Sequence, residues 1–200
     1  MNRFIWGILL LCGVLEMRGQ KDVFTYVVID SVRHVEMCVG RDTSNIGTII
    51  GISEYHHPAI PVDTKGCLVI PTRVTDKDGR TYVVTVLARA GLQGCKELTE
   101  VVLPDSCFGI GDQAMQGCSK LERVTFSAAT RVIYAKAMSG CHALRRVTVL
   151  AKIPPECAEN VFDEQTYQKA TLVVPAESEE AYRRAPAWRR FKYRMTNYEL

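Results

Sequence analysis

The sequence predicts a repeat solenoid, mostly β, in which short parallel strands stack above one another, are joined by short helical or 3-10 turns and are capped at both ends. The first observation is a period, because Cys95, Cys118 and Cys141 are each 23 residues apart. The second is the apolar spacing L-x-x-L-x-L after each of them, whose last two positions share one face of a strand. The third is the composition, 47% hydrophobic and 24% charged over 200 residues, which excludes a disordered chain and a multi-span membrane protein.

The repeat accounts for residues 84–152 as three units, in which eight columns of similar residues recur. One unit cannot bury its apolar face alone, so the units must stack and the stack is the core. A period within the range of about 20 to 29 residues is typical of leucine-rich repeats. In the second and third units Ala and Met fit a short helical turn that a glycine ends, and the first unit fits less closely because it has Gly91 in place of Ala. We call the following inward positions the structural ladder: Cys95, Cys118, Cys141, Leu98, Leu121 and Leu144.

Residues 1–19 are predicted to be a secretory signal peptide. Arg3 gives a positive start, an apolar run extends from Phe4 to Val14, and the chain then becomes polar. The run is too short to cross a membrane, which needs roughly 20 apolar residues. Cys12 leaves an alternative open, a lipoprotein cysteine, although the leucines before it lack the small residue that such processing prefers.

Residues 20–83 are predicted to form a strand-rich N-terminal cap, because a solenoid must shield its end from solvent and from edge pairing. Phe24 to Ile29 and Val32 to Val39 have strand patterns and are joined by a predicted tight turn at Asp30-Ser31. Asp76 to Gly79 has the composition of a hairpin turn.

Residues 153–200 are predicted to form a C-terminal capping coil with a short helix and a basic tail. Ala170 to Val174 offers a further parallel strand in register with the last repeat. Ser178 to Ala185 predicts a short helix, with Ser178 as its cap and two glutamates in its first turn. Three aromatic residues are expected to close the last coil, namely Trp188, Phe191 and Tyr193.

Residues 110–126, I-G-D-Q-A-M-Q-G-C-S-K-L-E-R-V-T-F, resemble the unit of the BspA-like leucine-rich repeat family, which usually has the form I-G-x-x-A-F-x-G-C-x-x-L-x-x-V-x-I-P. Pro104 matches the family proline after the strand, whereas Ser127 and Leu150 depart from it. The resemblance extends over roughly residues 24–195. It implies a secreted or surface-exposed bacterial protein that binds a partner rather than catalyses a reaction.

The cysteines of the repeat are predicted to be buried free thiols. Cys95, Cys118 and Cys141 occupy equivalent sites, so their Cβ vectors run nearly parallel at about one strand spacing, ~4.8 Å. A disulfide requires Cβ atoms about 3.8 Å apart and a dihedral angle near 90°, which parallel vectors disfavour. Cys107 falls in register with equivalent positions of neighbouring units and is also assigned to packing. The sequence leaves the state of three cap cysteines open, Cys38, Cys67 and Cys157.

No metal or catalytic site is predicted. His56 and His57 lie in a loop with Glu54 and Asp63 nearby, but adjacent histidines in an extended chain point to opposite sides, and no C-x-x-C or H-x-x-x-H spacing accompanies them. A solvated loop pair is therefore the favoured interpretation. The sequence also contains no G-x-S-x-G, phosphate-binding glycine loop or zinc-protease helix. We expect no cofactor and no enzyme activity.

A basic segment near the C-terminus carries six positive charges and no acid between them. The favoured interpretation is a solvated cap surface, and the alternative is attraction to an anionic glycan or envelope surface. Its charged residues are Arg183, Arg184, Arg189, Arg190, Lys192 and Arg194.

The outward side of the repeated strands gives the one systematic hypothesis for a ligand site. Stacked residues there form an extended surface, where solenoids usually bind. The alternative is an ordinary solvated sheet in which Glu100 and Arg123 form a cross-strand pair. We define the first column as Glu100, Arg123, Arg146 and Thr171, and the second column as Val102, Thr125, Thr148 and Val173. The six column residues that belong to the repeats are the predicted ligand-binding residues: Glu100, Val102, Arg123, Thr125, Arg146 and Thr148.

The sequence thus predicts a non-catalytic binding module of a bacterial envelope, secreted or at the cell surface, with a protein or glycan ligand. The alternative is a structural or accessory envelope lipoprotein anchored through Cys12. A formal net charge of +3 gives no indication of nucleic-acid binding. No segment is long and apolar enough to predict a transmembrane helix.

Overall fold

The computed structural model describes the backbone of residues 16–17, 20–21, 23–30, 35–41, 46–49 and 58–196, apart from 76, 77, 80 and 159, and side chains from 58 to 195 with the same exceptions. The strands are β1 Glu16–Met17, β2 Gln20–Lys21, β3 Val23–Asp30, β4 Val35–Arg41, β5 Ile46–Ile49, β6 Gly66–Val69, β7 Arg73–Thr75, β8 Thr81–Leu87, β9 Leu98–Val102, β10 Gly109–Ile110, β11 Arg123–Phe126, β12 Val132–Ile133, β13 Arg146–Val149, β14 Glu156–Cys157, β15 Thr171–Val174 and β16 Tyr193–Thr196. The helices are α1 Glu164–Lys169 and α2 Glu179–Arg184, with 3-10 turns at Ala176–Ser178 and Trp188–Arg190.

The strands form a solenoid with two principal walls, so the predicted fold class is confirmed. One wall is a six-stranded sheet in the order β16-β15-β13-β11-β9-β6, with every neighbouring pair parallel. The other is an eight-stranded sheet in the order β14-β12-β10-β8-β5-β4-β3, with β7 paired to β8. In the repeats each strand residue pairs with the one 23 positions later, as Val101 with Val124 and Val124 with Val147. The sequence period is therefore the register of the sheet.

The N-terminal cap is antiparallel where the repeats are parallel. Strand β3 pairs with β4, and β4 pairs with β5, which then joins the repeat wall by lying parallel to β8. The prediction of a tight turn at Asp30-Ser31 is wrong, because β3 continues to Asp30, which pairs with Val35. The predicted hairpin is present, since β7 and β8 pair with Val74 opposite Tyr82.

Cys12 and most of the predicted signal peptide lie outside the described residues.

The core lies between the two sheets and consists of stacked columns. All six residues of the structural ladder are buried. The strand residues Val101, Val124 and Val147, which follow the ladder leucines by three positions, are buried as well. The described inward residues of both sheets pack into a single hydrophobic cluster. Burying one leucine or isoleucine side chain stabilises the fold by about 1.5–3 kcal/mol, so the repeated columns contribute strongly to its stability.

The segments that join the two walls are hydrogen-bonded turns rather than the short helical turns expected from Ala and Met. Each coil has two left-handed residues four positions apart, such as Gln113 with φ 57° and Gly117 with φ 75°. A helix cannot continue through them. The turn instead bonds to the next coil, as when Leu92 N–H donates to Ala114 O at 2.6 Å and Gly94 N–H to Gln116 O at 2.8 Å.

One glycine of these turns is required for close approach as well as for its backbone angle. Gly140 has φ 78° and stacks on Gly117 of the preceding coil. A Cβ atom at Gly140 would lie 3.2 Å from both Cα and N of Gly117. The left-handed φ accounts for the glycine before each ladder cysteine, and at Gly140 the close approach to Gly117 adds a steric reason.

The C-terminal cap contains elements that were not predicted, among them helix α1 and strand β16. Strand β15 pairs with β13 in the predicted register, and β16 then pairs along its other edge. Helix α2 lies within the predicted range, but Ser178 at its N-cap makes no side-chain cap hydrogen bond. A cluster of aromatic rings with centroids 5.0–6.2 Å apart closes the coil, comprising Phe162, Tyr167, Tyr182, Trp188 and Phe191.

Tyr193 is the exception among the aromatic residues expected in that closure. It is 48% exposed, because it pairs with Thr171 at an outward position of the six-stranded sheet.

Among the helices that the structure describes, none has the length and hydropathy needed to span a membrane.

Candidate ligand-binding surface

Parallel register places the two predicted columns side by side on the outer face of the six-stranded sheet. Arg123 pairs with Glu100 on one side and with Arg146 on the other, and Arg146 pairs with Thr171. The register extends the first column at its two ends, to Cys67 on β6 and Tyr193 on β16. The second column runs through Val102, Thr125, Thr148 and Val173 in the same way.

A cleft of about 550 Å³ lies on this face. All eight lining residues come from the strands or directly precede them, and all eight are polar or charged. The lining comprises Glu100, Glu122, Arg123, Thr125, Arg145, Arg146, Thr148 and Thr171. The structure thus brings together five of the six residues that were predicted as ligand-binding.

The sixth predicted residue, Val102, lies in the second column but does not line the cleft. At the far end of that column the prediction of an outward residue is wrong for Val173, which is fully buried. Strand β16 makes β15 an internal strand rather than the last one. The surface therefore ends at Thr148 in the second column, while the first column remains open to Tyr193.

Arg123 is held by acids on one side of the cleft. Its Nη2 lies 2.9 Å and its Nε 3.1 Å from Glu100 Oε2, and its Nη1 lies 3.6 Å from Glu122 Oε2. The hydrogen bond that the Arg123 guanidinium donates to Glu100 raises the pKa of Arg123. The predicted Glu100–Arg123 pair is therefore present, but it occupies only the first half of the cleft. Its atoms are exposed, so the pair contributes little to folding stability.

The other half of the cleft carries positive charge without a matching acid. Within the part of the chain that the structure describes, Arg145 and Arg146 form no ion pair and no side-chain hydrogen bond. Arg146 stands directly beside Arg123 in the parallel register. Like charges at neighbouring positions of a sheet are unfavourable, so this arrangement favours an anion between them.

Sequence reasoning missed Glu122 and Arg145 because it considered only residues with strict outward alternation. Both precede their strands by one residue, where the chain enters the sheet. The period could have predicted that these two residues are neighbours, because Arg145 follows Glu122 by 23 residues. The structure shows this contact, since Arg145 N–H donates to Glu122 O at 2.9 Å.

The thiols of the structural ladder are buried and free. Cys118 Sγ donates to Leu92 O at 3.1 Å and Cys141 Sγ donates to Met115 O at 3.2 Å, each reaching the preceding coil. Burial raises the pKa of Cys95 to about 12 and that of Cys107 to about 11. A thiol that stays protonated is a poor nucleophile, so these residues act as packing groups.

The cap cysteines differ from the ladder. Cys67 is exposed and forms no disulfide with the described cysteines, and it lies at the end of the first column. Cys157 is half-buried and free, and burial raises its pKa to about 12. Cys38 has no side-chain description.

No metal-binding group of three His, Cys, Asp or Glu side chains occurs among the described side chains. Glu54, His56 and His57 lie outside the described residues. His142 is exposed and its Nδ1 lies 3.7 Å from Asp163 Oδ2, whereas the neighbouring Cys141 is fully buried.

Three of the six charges of the C-terminal basic segment are neutralised by acids of the cap. Arg183 pairs with Glu179, Arg184 with Glu180, and Arg190 with Glu164. Arg194 instead donates to the backbone carbonyls of Trp188 and Arg189. These contacts favour the interpretation of this segment as a solvated cap surface.

A comparison with protein-family models identifies a BspA-type leucine-rich repeat region, in six copies, over residues 84–180. No curated protein matched the chain.

Two solved structures resemble the fold. One is a leucine-rich cell surface protein from Faecalibacterium prausnitzii A2-165, with 17% identity, a TM-score of 0.55 and coverage of 86% of this chain. This chain spans 40% of the length of that protein. The other is a leucine-rich repeat protein from Bacteroides capillosus ATCC 29799, with 21% identity, a TM-score of 0.51 and coverage of 80% of this chain and 94% of the other. At these identities the similarity concerns the fold.

Proposed function

Because residues 84–180 belong to the BspA-type leucine-rich repeat family, we propose that the protein is a non-catalytic binding module, secreted or held at a bacterial cell surface. Its ligand, a protein or a glycan, binds on the outer face of the six-stranded sheet. The observation that carries this proposal is the cleft on that face, where Arg145 and Arg146 have no acidic partner within the described part of the chain.

Binding rather than catalysis is supported by the chemistry of the face. The cleft offers guanidinium and hydroxyl groups on rigid strands, which suit recognition by charge and hydrogen bonds. The thiols of the structural ladder are nucleophilic groups, but they are buried in the core. An extracytoplasmic location is supported by the predicted signal peptide and by the description of the Faecalibacterium protein as a cell surface protein.

The proposal is tested by applying the purified mature protein to arrays of extracellular matrix proteins and of glycans. The double variant Arg123→Glu/Arg146→Glu reverses the charge of the cleft, and we expect it to lose at least about 90% of the bound signal, because a repelled anion costs more than 1 kcal/mol. Arg131→Glu is the control for reversal of one charge outside the cleft, since Arg131 is exposed and precedes β12 of the other sheet. Equal binding by the two variants, or no binding to either array, would contradict the proposal.

A further inference from the structure

We propose that the ligand of this cleft is an acidic polysaccharide, with its carboxylate or sulfate groups seated between Arg123, Arg145 and Arg146 and its chain lying across the strands. The inference rests on the proposed binding function and specifies its ligand. It is carried by three features of the face: an unbalanced row of arginines, the spacing of that row, and the polar character of its surroundings.

The charge of the repeat changes from balanced to unbalanced along the stack. Between the first and second coils, acids meet bases in register: Lys120 Nζ lies 2.8 Å from Glu97 and Arg123 Nη2 lies 2.9 Å from Glu100. Between the second and third coils Arg123 meets Arg146 instead. The cleft lining contains three arginines and two glutamates, a net charge of +1. An anionic group that bridges the two guanidiniums would remove this repulsion.

The spacing of the arginines suits a ligand that crosses the strands. Neighbouring strands lie about 4.8 Å apart, so Arg123 and Arg146 offer one guanidinium per strand. An extended acidic peptide that crosses the strands presents side chains on one side only every ~6.8 Å, which is two residues of about 3.4 Å, so its successive carboxylates do not match these two arginines. Arg123 and Arg146 are adjacent in the register, and one carboxylate or sulfate group seated between them can accept hydrogen bonds from both guanidiniums.

The groups around the arginines also favour a carbohydrate. Thr125, Thr148 and Thr171 place hydroxyl groups in the cleft, and hydroxyls can donate to and accept from sugar hydroxyls. The cores of protein–protein interfaces instead contain apolar and aromatic anchors, which the cleft lining lacks.

An aromatic ring stands at the end of the same row. Tyr193 pairs with Thr171 in register and is 48% exposed. Lys192 Nζ lies 5.3 Å from the centroid of the Tyr193 ring and adds a further positive charge there. An exposed tyrosine offers an apolar face with a polar tip, on which a sugar ring can stack.

The test measures binding of the full chain by calorimetry to four probes of similar length. They are an oligogalacturonate, which carries carboxylates, a chondroitin sulfate oligosaccharide, which also carries sulfates, a neutral galactan, and oligo-glutamate. We expect one or both acidic glycans to bind and the galactan not to bind. Arg145→Gln/Arg146→Gln should weaken acidic-glycan binding about tenfold, since two surface charge contacts are lost. Thr148→Val provides a second variant without a change of charge and should weaken binding about threefold.

Arg131→Gln is the control for lost charge and should change the affinity by less than about twofold. Folding of each variant is checked by thermal melting. Oligo-glutamate binding as tight as glycan binding, or glycan affinity unchanged in Arg145→Gln/Arg146→Gln, would overturn the inference. If both glycans fail while a matrix protein binds and is lost in Arg123→Glu/Arg146→Glu, the inference fails and the binding function stands. If nothing binds, both fail.

Discussion

At the scale of single residues, the environment of each cysteine follows from its place in the repeat. Cys118 and Cys141 are buried at equivalent sites, and each thiol donates to a carbonyl of the coil before it. Stacked parallel side chains are poorly oriented for a disulfide. Cys67 lies at an outward register position, opposite Glu100, and is exposed. One residue type therefore serves as packing in the coils and as a surface thiol at the start of the sheet.

This difference predicts selective alkylation. With iodoacetamide at pH 8, Cys67 should be labelled in the folded protein, whereas Cys95, Cys107 and Cys118 should be protected, because the thiolate is the reacting species and their pKa values are raised. Burial raises the pKa of Cys95 and of Cys107, and a hydrogen bond with Cys141 together with burial raises that of Cys118. Peptide mass spectrometry measures the labelling at each site. Labelling in denaturant, where all should react, is the control, and rapid labelling of Cys95 in the folded state would contradict the prediction.

At the scale of elements, the last turn of the repeat is hydrogen-bonded to a side chain of the C-terminal cap. In the earlier coils Gly94 and Gly117 donate their N–H groups to carbonyls of the next coil. After the last repeat Asp163 takes over this role: its Oδ2 accepts from Gly140 N–H at 2.7 Å and its Oδ1 from Ser139 Oγ at 3.0 Å. Asp163 is the N-cap residue of α1 yet makes no side-chain bond to that helix. The helix therefore positions a carboxylate that terminates the turn ladder.

We expect Asp163→Ala to destabilise the protein by about 1–3 kcal/mol, because Gly140 N–H and Ser139 Oγ lose a charged acceptor. Asp163→Asn keeps one acceptor oxygen and should recover part of the loss. The free energy of unfolding in urea measures both. Glu164→Ala is the control at the adjacent exposed position and should cost less than about 1 kcal/mol. A cost for Asp163→Ala no larger than that of the control would refute the capping role.

At the scale of the whole molecule, the stack is stable only if both ends are sealed, because each coil buries its apolar face against its neighbours. At the C-terminal end, a cluster of aromatic side chains covers the core of the stack. Trp188 is 1% exposed, stacks on Phe191 with centroids 6.2 Å apart and donates Nε1–H to Pro155 O at 2.8 Å. Tyr182 adds a second hydrogen bond across this end, from its hydroxyl to Ala151 O at 2.7 Å.

Loss of that seal should weaken the whole fold. Trp188→Ala removes a large buried side chain and should cost about 3–5 kcal/mol, whereas Trp188→Phe keeps a ring and loses the hydrogen bond to Pro155, at a cost nearer 1 kcal/mol. Urea unfolding followed by far-ultraviolet circular dichroism measures the difference. Tyr134→Ala removes an aromatic residue that is 51% exposed and should change stability by less than about 0.5 kcal/mol. Similar costs for Trp188→Ala and Tyr134→Ala would contradict this role.

Much of the stack could be predicted from the sequence because a fixed period leads directly to a fixed register. When units repeat every 23 residues and stack in parallel, residue i must pair with residue i+23, as Arg123 does with Arg146. The buried columns and the outward columns follow from alternation along each strand. The caps could be predicted only in outline, because α1 and β16 depart from the period and their places depend on how the chain returns to the stack.

The sequence by itself determined the fold class, the family resemblance, the register of the repeats and the face on which a ligand is expected. Only the tertiary structure decided which charges on that face are partnered. Glu100 and Glu122 both contact Arg123, while Arg145 and Arg146 have no acidic partner among the described residues. The physical reason is that register fixes which residues are neighbours, whereas ion pairing depends on how side chains from different coils reach one another across the face.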